Sequence, residues 1–161
     1  LREWLGVMKL GLLNYSNFTY ADRDGNILYQ WNAHIPRRLD DGTNYGLDVP
    51  GETSKYLWQG LHPLSDFPRL LNPSAGYIQN CNNPPWYTSL RTPIDPASFK
   101  SYFERGELAL RPQLALEMLE SRPKFSLDDV KLISWRPVSS GRIWPSSGWS
   151  KANPSLKTRS I

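Results

Sequence analysis

The residues best suited to chemistry lie in one short run, in which an apolar segment ends in a group of asparagines and then in two prolines. Residues 77–86 read Tyr-Ile-Gln-Asn-Cys-Asn-Asn-Pro-Pro-Trp. A strand that ends in amides at an open edge can hold a carboxamide NH2 against a developing negative charge, and the prolines stop further strand pairing. The run therefore suits a donor site for an oxyanion. On spacing alone, an asparagine that caps a turn through its own backbone is the simpler interpretation.

A thiol hydrolase that uses Cys81, with His34 or His62 as the base, is a second interpretation of the same region. The sequence gives it little support, because nothing fixes either histidine near the cysteine and no helix N-terminus follows it to favour the thiolate. We expect Cys81 to face the core and be inert, and both histidines to be surface residues. Cys81 is the sole cysteine of the chain, which excludes an internal disulfide.

Strands are needed to place the asparagine run. Apolar and aromatic alternation predicts three of them, over residues 18–20, 27–31 and 77–79. The first two flank Asp24-Gly25-Asn26, a strong hairpin turn. Together with Asp22, these polar residues also fit a short cation loop, but the hairpin explains them more simply. Residues 32–76 form a long excursion with little periodicity, which is typical of a functional loop or of packing against another segment.

Helical spacing predicts the remaining elements, over residues 2–13, 99–105 and 110–120. The clearest is the last of these, in which Leu110, Leu114 and Met118 form one apolar stripe and Pro123 follows the end. A further helix begins after an N-cap at Ser126, with acidic residues in its first turn. Helices mixed with a hairpin indicate an α+β fold.

The composition changes abruptly near residue 134. The last 28 residues contain five basic side chains, eight serines, three tryptophans and no acid, so the first 133 residues carry a net charge of −1 although the whole chain carries +4. The positive charge therefore belongs to a tail and not to a folded basic face, which argues against nucleic-acid binding. We divide the chain into a domain, 1–133, and a tail, 134–161, that is either a product of a reading-frame shift near Lys131 or a natural flexible extension.

The chain begins at Leu1 and shows no signal peptide, which suits a processed product or a partial sequence. It contains no run of 18 apolar residues, so no membrane-spanning helix and no membrane partner are expected.

A series of short motifs, in a fixed order from about Trp4 to Ile133, resembles the β-subunit of penicillin amidase-type acylases, which are N-terminal nucleophile hydrolases. The motifs are Tyr20-Ala21-Asp22 with Gly25-Asn26-Ile27, Pro36-Arg37, Val49-Pro50-Gly51, Trp58-Gln59-Gly60-Leu61 with Pro63, Asn72-Pro73, Gly76-Tyr77-Ile78, Asn82-Asn83, and Arg111 and Pro123 around a helix. The resemblance implies that this chain is an incomplete part of a four-layer αββα fold.

The resemblance also implies a chemistry. In the family, a Ser, Thr or Cys at the N-terminus of the β-chain attacks a linear amide, and its own α-amine serves as the base. Asn82 is then the side-chain donor of the oxyanion hole, supported by Asn83. Arg111 is the arginine near the active site, which either orders Asn82 or holds a substrate carboxylate. The substrates by analogy are acylated β-lactams, acyl-homoserine lactones or lipopeptides.

The nucleophile is not in this chain, so the resemblance implies that its partners are an amide substrate and the rest of an acylase, namely the α-subunit and the N-terminal part of the β-subunit. The isolated chain should be inactive. A periplasmic or secreted location follows by family analogy only. Calcium occurs in some members, but Asp95 is the one carboxylate near the corresponding positions, so no cofactor is predicted.

The main alternative is a non-catalytic binding module or a truncated remnant. The chain has seven tryptophans and eight tyrosines, which can stack on sugars or aromatic ligands. Three of the tryptophans lie in the tail, however, and Trp58 and Trp86 belong to family-like motifs, where we expect them to pack or to line the acyl pocket.

Overall fold

The computed structural model describes residues 1–13 and 15–134, and the predicted tail lies outside them from residue 135 onward. The chain divides into two compact units, residues 1–121 and residues 122–161. The first unit contains a three-stranded antiparallel sheet, two helices and several short 3-10 turns. This mixture confirms the predicted α+β class.

The predicted hairpin is confirmed, and its strands are longer than predicted. Strand β1, Tyr15–Ala21, pairs antiparallel with β2, Ile27–Ala33. The turn between them closes on Asp22, whose carboxylate accepts hydrogen bonds from the backbone N–H groups of Asp24 and Asn26 at 3.1 and 2.9 Å. Gly25 has a φ of +85°, which a side chain would disfavour. Asp22 therefore serves the turn itself, as the hairpin interpretation requires.

The third strand lies elsewhere than predicted. Strand β3, Arg69–Leu71, pairs antiparallel with the free side of β2, so the sheet order is β1-β2-β3. Residues 77–79, predicted to be a strand, are extended but join no strand ladder. The backbone N–H of Gln79 donates instead to the Thr88 carbonyl at 3.0 Å. The prediction was wrong because this segment forms its hydrogen bond with a following loop and not with a strand of the sheet.

The core is built around the central strand. Six of the seven residues of β2 are buried, since β2 is paired on both sides and covered by loops. Trp31 is 1% exposed and meets Phe67 and Phe103 edge-on, with ring centroids 5.6 Å apart in both pairs. Trp86 is also buried, as expected, whereas Trp58 is 68% exposed.

The helices match the prediction in part. Helix α1, Arg2–Met8, is shorter than predicted, and α2, Leu110–Glu120, has the predicted bounds. The predicted stripe is covered in part: Leu110 is exposed, Leu114 and Met118 are half-buried, and the buried residues are Pro112 and Leu116. In the second unit, α3, Leu127–Ser134, begins as predicted, with the Ser126 hydroxyl accepting a hydrogen bond from the Asp129 N–H at 3.1 Å.

The helix predicted over residues 99–105 does not form. A 3-10 turn, Pro96–Ser98, precedes a loop that is held by the guanidinium of Arg105. This guanidinium donates to the carbonyls of Pro96, Phe99 and Lys100, the last two at 3.1 and 3.0 Å. Backbone N–H groups of the loop also donate to the Pro96 and Lys100 carbonyls, so these acceptors are satisfied without a helix.

The surface position predicted for His62 was wrong, and that predicted for His34 is confirmed. His62 is 9% exposed; its Nδ1 lies 2.8 Å from an Asp66 carboxylate oxygen and its Nε2 lies 2.8 Å from the Tyr102 hydroxyl. Partners on both ring nitrogens allow an imidazole to be buried. Among the described helices, none has the length and apolarity that crossing a bilayer requires.

Candidate active site

The asparagine run forms a tight loop in which each amide has a different task. The Asn80 side chain accepts from the Asn82 N–H at 3.0 Å and donates to the Asn83 carbonyl at 3.1 Å. The Asn83 side chain is buried, accepts from the Cys81 N–H at 2.9 Å and donates to the Pro84 carbonyl at 3.0 Å. Asn80 and Asn83 therefore cap the turn, and Asn82 is free from that task.

Asn82 stands at the top of this loop in a left-handed conformation, with a φ of +64°. Asparagine tolerates this region better than most residues. Its side chain is exposed, and its oxygen accepts a hydrogen bond from Arg111 Nη2 at 3.0 Å. Arginine has donors only, so the carboxamide must turn its oxygen toward Arg111 and its NH2 away. Within the described residues that NH2 group has no partner.

Arg111 comes from the second position of α2, where its charge is disfavoured by the helix dipole. The same Nη2 that binds Asn82 also donates to the Cys81 carbonyl at 2.5 Å. The guanidinium is thus engaged by two acceptors of the loop, and these hydrogen bonds offset its unfavourable interaction with the helix dipole. A positive charge on the amide oxygen also draws electron density from the NH2 group and makes it a stronger donor.

The far end of α2 is attached to the segment that leads into the asparagine loop. Tyr77 donates its hydroxyl to Glu120 at 2.5 Å, and Arg91 Nη2 lies 2.6 Å from the same carboxylate. Burial raises the pKa of Glu120, but the hydrogen bond from Tyr77 and the charge of Arg91 outweigh it and lower that pKa. Helix α2 is therefore tied to the segment 77–91 at both ends, which fixes Arg111 over Asn82.

A cleft of about 320 Å³ opens beside Asn82. It is lined by residues of the first two strands and two loops: Tyr15, Ser16, Asn17, Trp31, Asn80, Asn82, Asn83, Pro84, Pro85 and Glu104. Two hydrogen bonds hold side chains of this lining, from the Tyr15 hydroxyl to Glu104 and from the Tyr29 hydroxyl to Asn17. Burial and then the bond to Glu104 raise the pKa of Tyr15, which therefore stays a donor.

Sequence reasoning named Asn82 and Arg111, which the structure brings together, and the asparagine run, but it missed Tyr15, Asn17 and Glu104. Tyr15 and Asn17 lie before the predicted first strand and are two residues apart, so they share one face of β1. That alternation was the available signal for them. Glu104 belonged to a predicted helix that does not form, and no signal for it was present.

The thiol-hydrolase arrangement is not assembled in the described part of the chain. Cys81 is half-buried and lies in the loop, not on a strand facing the core as predicted. Both ring nitrogens of His62 are engaged by Asp66 and Tyr102. His34 lies against Gly11, where an added Cβ would come within 2.8 Å of its Nε2.

The residues described do not by themselves fit a calcium ion. They contain no group of three or more acidic, histidine or cysteine side chains that could hold a metal. Asp95 accepts a hydrogen bond from the Ala97 N–H at 2.9 Å and thereby caps the turn Pro96–Ser98. Its carboxylate therefore has a local structural role.

Comparison with known proteins supports the resemblance that the motifs suggested. A model of the penicillin amidase family matches residues 7–140, which is most of the chain. The chain belongs to the penicillin amidase family. The match reaches beyond the described residues and ends within the segment predicted as a tail.

Two curated relatives are named as penicillin acylases. Penicillin G acylase of Escherichia coli is 45% identical over 69 residues, which are 43% of this chain and 8% of that protein. Penicillin acylase 2 proenzyme of Pseudomonas sp. (strain SE83) is 29% identical over 129 residues, which are 76% of this chain and 14% of that protein. The chain therefore spans only a small part of the length of the relatives that it matches.

Proposed function

We propose that this chain is part of an acylase that hydrolyses linear amides, and that it contributes the asparagine of the oxyanion hole. The carboxamide of Asn82 would donate a hydrogen bond to the oxygen that becomes negative when a nucleophile attacks the amide carbonyl. One observation carries the proposal: Arg111 holds the oxygen of Asn82 at 3.0 Å, and the NH2 group is left without a partner in the described structure. A donor fixed in advance stabilises the transition state without reorganising during the reaction.

Arg111 has two parts in this proposal. Its hydrogen bonds to the Cys81 carbonyl and to Asn82 orient the amide, so Arg111 acts through Asn82 as a positioning residue. The guanidinium is also exposed, so its remaining N–H groups are available to a substrate carboxylate. Orientation of Asn82 is the part that the geometry supports directly.

The nucleophile would come from the rest of the acylase, as a Ser, Thr or Cys at the N-terminus of the β-chain with its own α-amine as base. The cleft beside Asn82 would then receive the reacting groups between the two parts. In the whole protein we expect the four-layer αββα arrangement, and acylated β-lactams, acyl-homoserine lactones or lipopeptides as substrates. A periplasmic or secreted location belongs to the same proposal, which includes no metal or other cofactor.

The test uses a chimera in which this chain replaces the aligned segment of the Escherichia coli penicillin G acylase. We expect Asn82→Ala to lower kcat about 10²- to 10³-fold with little change in KM, because the donor acts mainly in the transition state. Gln59→Ala removes an exposed amide outside the cleft and is the matched control. Full activity of the Asn82→Ala chimera would overturn the proposal.

The isolated 161-residue chain provides a second test. Purified alone, it should release no chromophore from an acyl-nitroanilide, because the described residues offer no activated nucleophile beside Asn82. Clear turnover that survives alkylation of Cys81 would show that the chain is an enzyme by itself and contradict this part of the proposal.

A further inference from the structure

A second cleft, which shares no lining residue with that of Asn82, contains an arginine held between aromatic rings. The Cζ atom of Arg38 lies 5.0 Å from the ring centroid of Tyr45 and 5.7 Å from that of Trp58. Stacking of this kind fixes a guanidinium in place and leaves its edge open to other partners.

The charge of Arg38 is not neutralised within the described part of the chain. No carboxylate there lies within ion-pair distance of it, and its buried Nε has no hydrogen-bond partner. The acids that follow it in sequence are already engaged. Asp40 accepts from Ser101 and pairs with Lys100 at 3.4 Å.

The other neighbouring acid, Asp41, accepts from Thr43 and pairs with Lys55 at 3.0 Å. Since Asp40 and Asp41 each have a lysine partner, the cluster keeps the positive charge of Arg38. Because the Nε atom is itself buried, a ligand in the cleft would meet the outer N–H groups of the guanidinium, whose charge no carboxylate of the described residues offsets.

The cleft itself is preformed and partly aromatic. It measures about 480 Å³ and is lined by Arg38, the loop residues 42–46, and Ser101, Tyr102 and Phe103. Tyr102 is fixed in the cleft, because its hydroxyl accepts a hydrogen bond from the backbone N–H of Arg38 at 3.3 Å and is hydrogen-bonded to His62 Nε2 at 2.8 Å. A binding site that needs no rearrangement loses less free energy on ligand binding.

We propose that this cleft binds a small organic carboxylate, with the carboxylate on Arg38 and the apolar part against the aromatic walls. The planar guanidinium matches a carboxylate in a two-pronged contact. A doubly charged phosphate is less suited, since the carboxylates of Asp40 and Asp41, close to Arg38 in the chain, would repel a second negative charge. The site is independent of the proposed acylase function, so either can fail without the other.

The test is a titration of the ¹⁵N-labelled 161-residue chain with benzoate, followed by the amide resonances of residues 42–46. We expect saturable shifts in the millimolar range, and none with benzamide, which has the same ring without the charge. Arg38→Gln should weaken benzoate binding about tenfold or more. Arg38→Lys should weaken it less, because lysine keeps the positive charge but cannot make the two-pronged contact of a guanidinium.

Arg37→Gln is the matched control, because Arg37 is an exposed neighbour whose side chain does not line the cleft. It should bind benzoate like the wild type. Equal shifts with benzoate and benzamide on the wild-type chain, or no saturable shift with either, would overturn the proposal without any reference to the variants.

Discussion

The guanidinium of Arg111 lies 3.0 Å from the carboxamide oxygen of Asn82, across 29 residues of sequence. The contact joins the first turn of α2 to the top of the asparagine loop, and it decides which end of the amide faces outward. An asparagine in an exposed loop would otherwise turn freely. The pair therefore fixes the direction in which the Asn82 carboxamide presents its NH2 group.

Replacing Arg111 should show whether this residue positions Asn82 or binds the substrate. In the chimeric acylase we expect Arg111→Ala to lower kcat about 10- to 100-fold, because the amide loses its orienting partner and polarising charge. Steady-state kinetics with a neutral amide substrate would measure kcat and KM separately. Arg23→Ala, an exposed arginine in the hairpin turn, should have no effect. A change confined to KM would point instead to substrate binding by Arg111.

The burial of two tryptophans predicts very different costs of truncation. Trp31 is 1% exposed and contacts two buried rings, so Trp31→Ala should lower the free energy of unfolding by about 3–5 kcal/mol. Trp58 is 68% exposed, and Trp58→Ala should cost about 1 kcal/mol or less, mainly the contact with Arg38. Urea unfolding followed by far-UV circular dichroism measures both. Similar costs for the two variants would contradict the assigned core.

Arg105 should stabilise the loop that replaced the predicted helix. Its guanidinium donates to the carbonyls of Pro96, Phe99 and Lys100 and lies 5.1 Å from the Trp86 ring. We expect Arg105→Ala to cost about 1.5–3 kcal/mol, the range for hydrogen bonds from a charged group. Hydrogen exchange of residues 96–105 should increase in this variant. Arg105→Lys should recover little, because one ammonium cannot reach three carbonyls; full recovery would mean that charge alone suffices.

Acid should weaken the attachment of α2 through Glu120. Despite burial, the bond from Tyr77 and the charge of Arg91 lower the pKa of Glu120 in the folded chain. A lowered pKa stabilises the fold above the unfolded-state value of about 4.3, and this stabilisation is lost as the pH falls through the folded-state pKa. Glu120→Gln should therefore lose less stability than the wild type between about pH 6 and about pH 3.

The same helix offers a control for this prediction. Glu117 is exposed on α2, and Glu117→Gln should keep the acid sensitivity of the wild type. Urea midpoints at several pH values measure all three proteins. Parallel pH curves for the wild type and Glu120→Gln would show that the carboxylate is not the group that titrates.

The elements that were predicted correctly are those that depend on residues adjacent in the sequence. The hairpin depends on Gly25 and its polar neighbours, and α2 depends on a short periodic run, so both could be found from adjacent residues. The choice of β3 over residues 77–79 could not, because it is decided by which segment reaches the free edge of β2. The pairing of Leu28 with Leu71 spans 43 residues, and no local pattern records it.

The residues of the candidate site also divide into those that the sequence indicates and those that only the fold brings there. The asparagine run is visible as a motif, and Arg111 was assigned from its resemblance to the family arginine near the active site. Glu104 and Arg105 could not be assigned, because Arg105 binds carbonyls of a loop that forms in place of the predicted helix, and Glu104 receives its partner Tyr15 from 89 residues away.

The left-handed backbone at Asn82 also limits the variation that this position can accept. A φ of +64° is strained for a branched or bulky side chain, so a saturation library screened for folding should retain mainly glycine, aspartate and asparagine. Of these three, asparagine alone has an N–H donor on its side chain. Selection for solubility and selection for turnover would therefore give different residues at one codon, and comparing the two libraries would separate what the loop requires from what the chemistry requires.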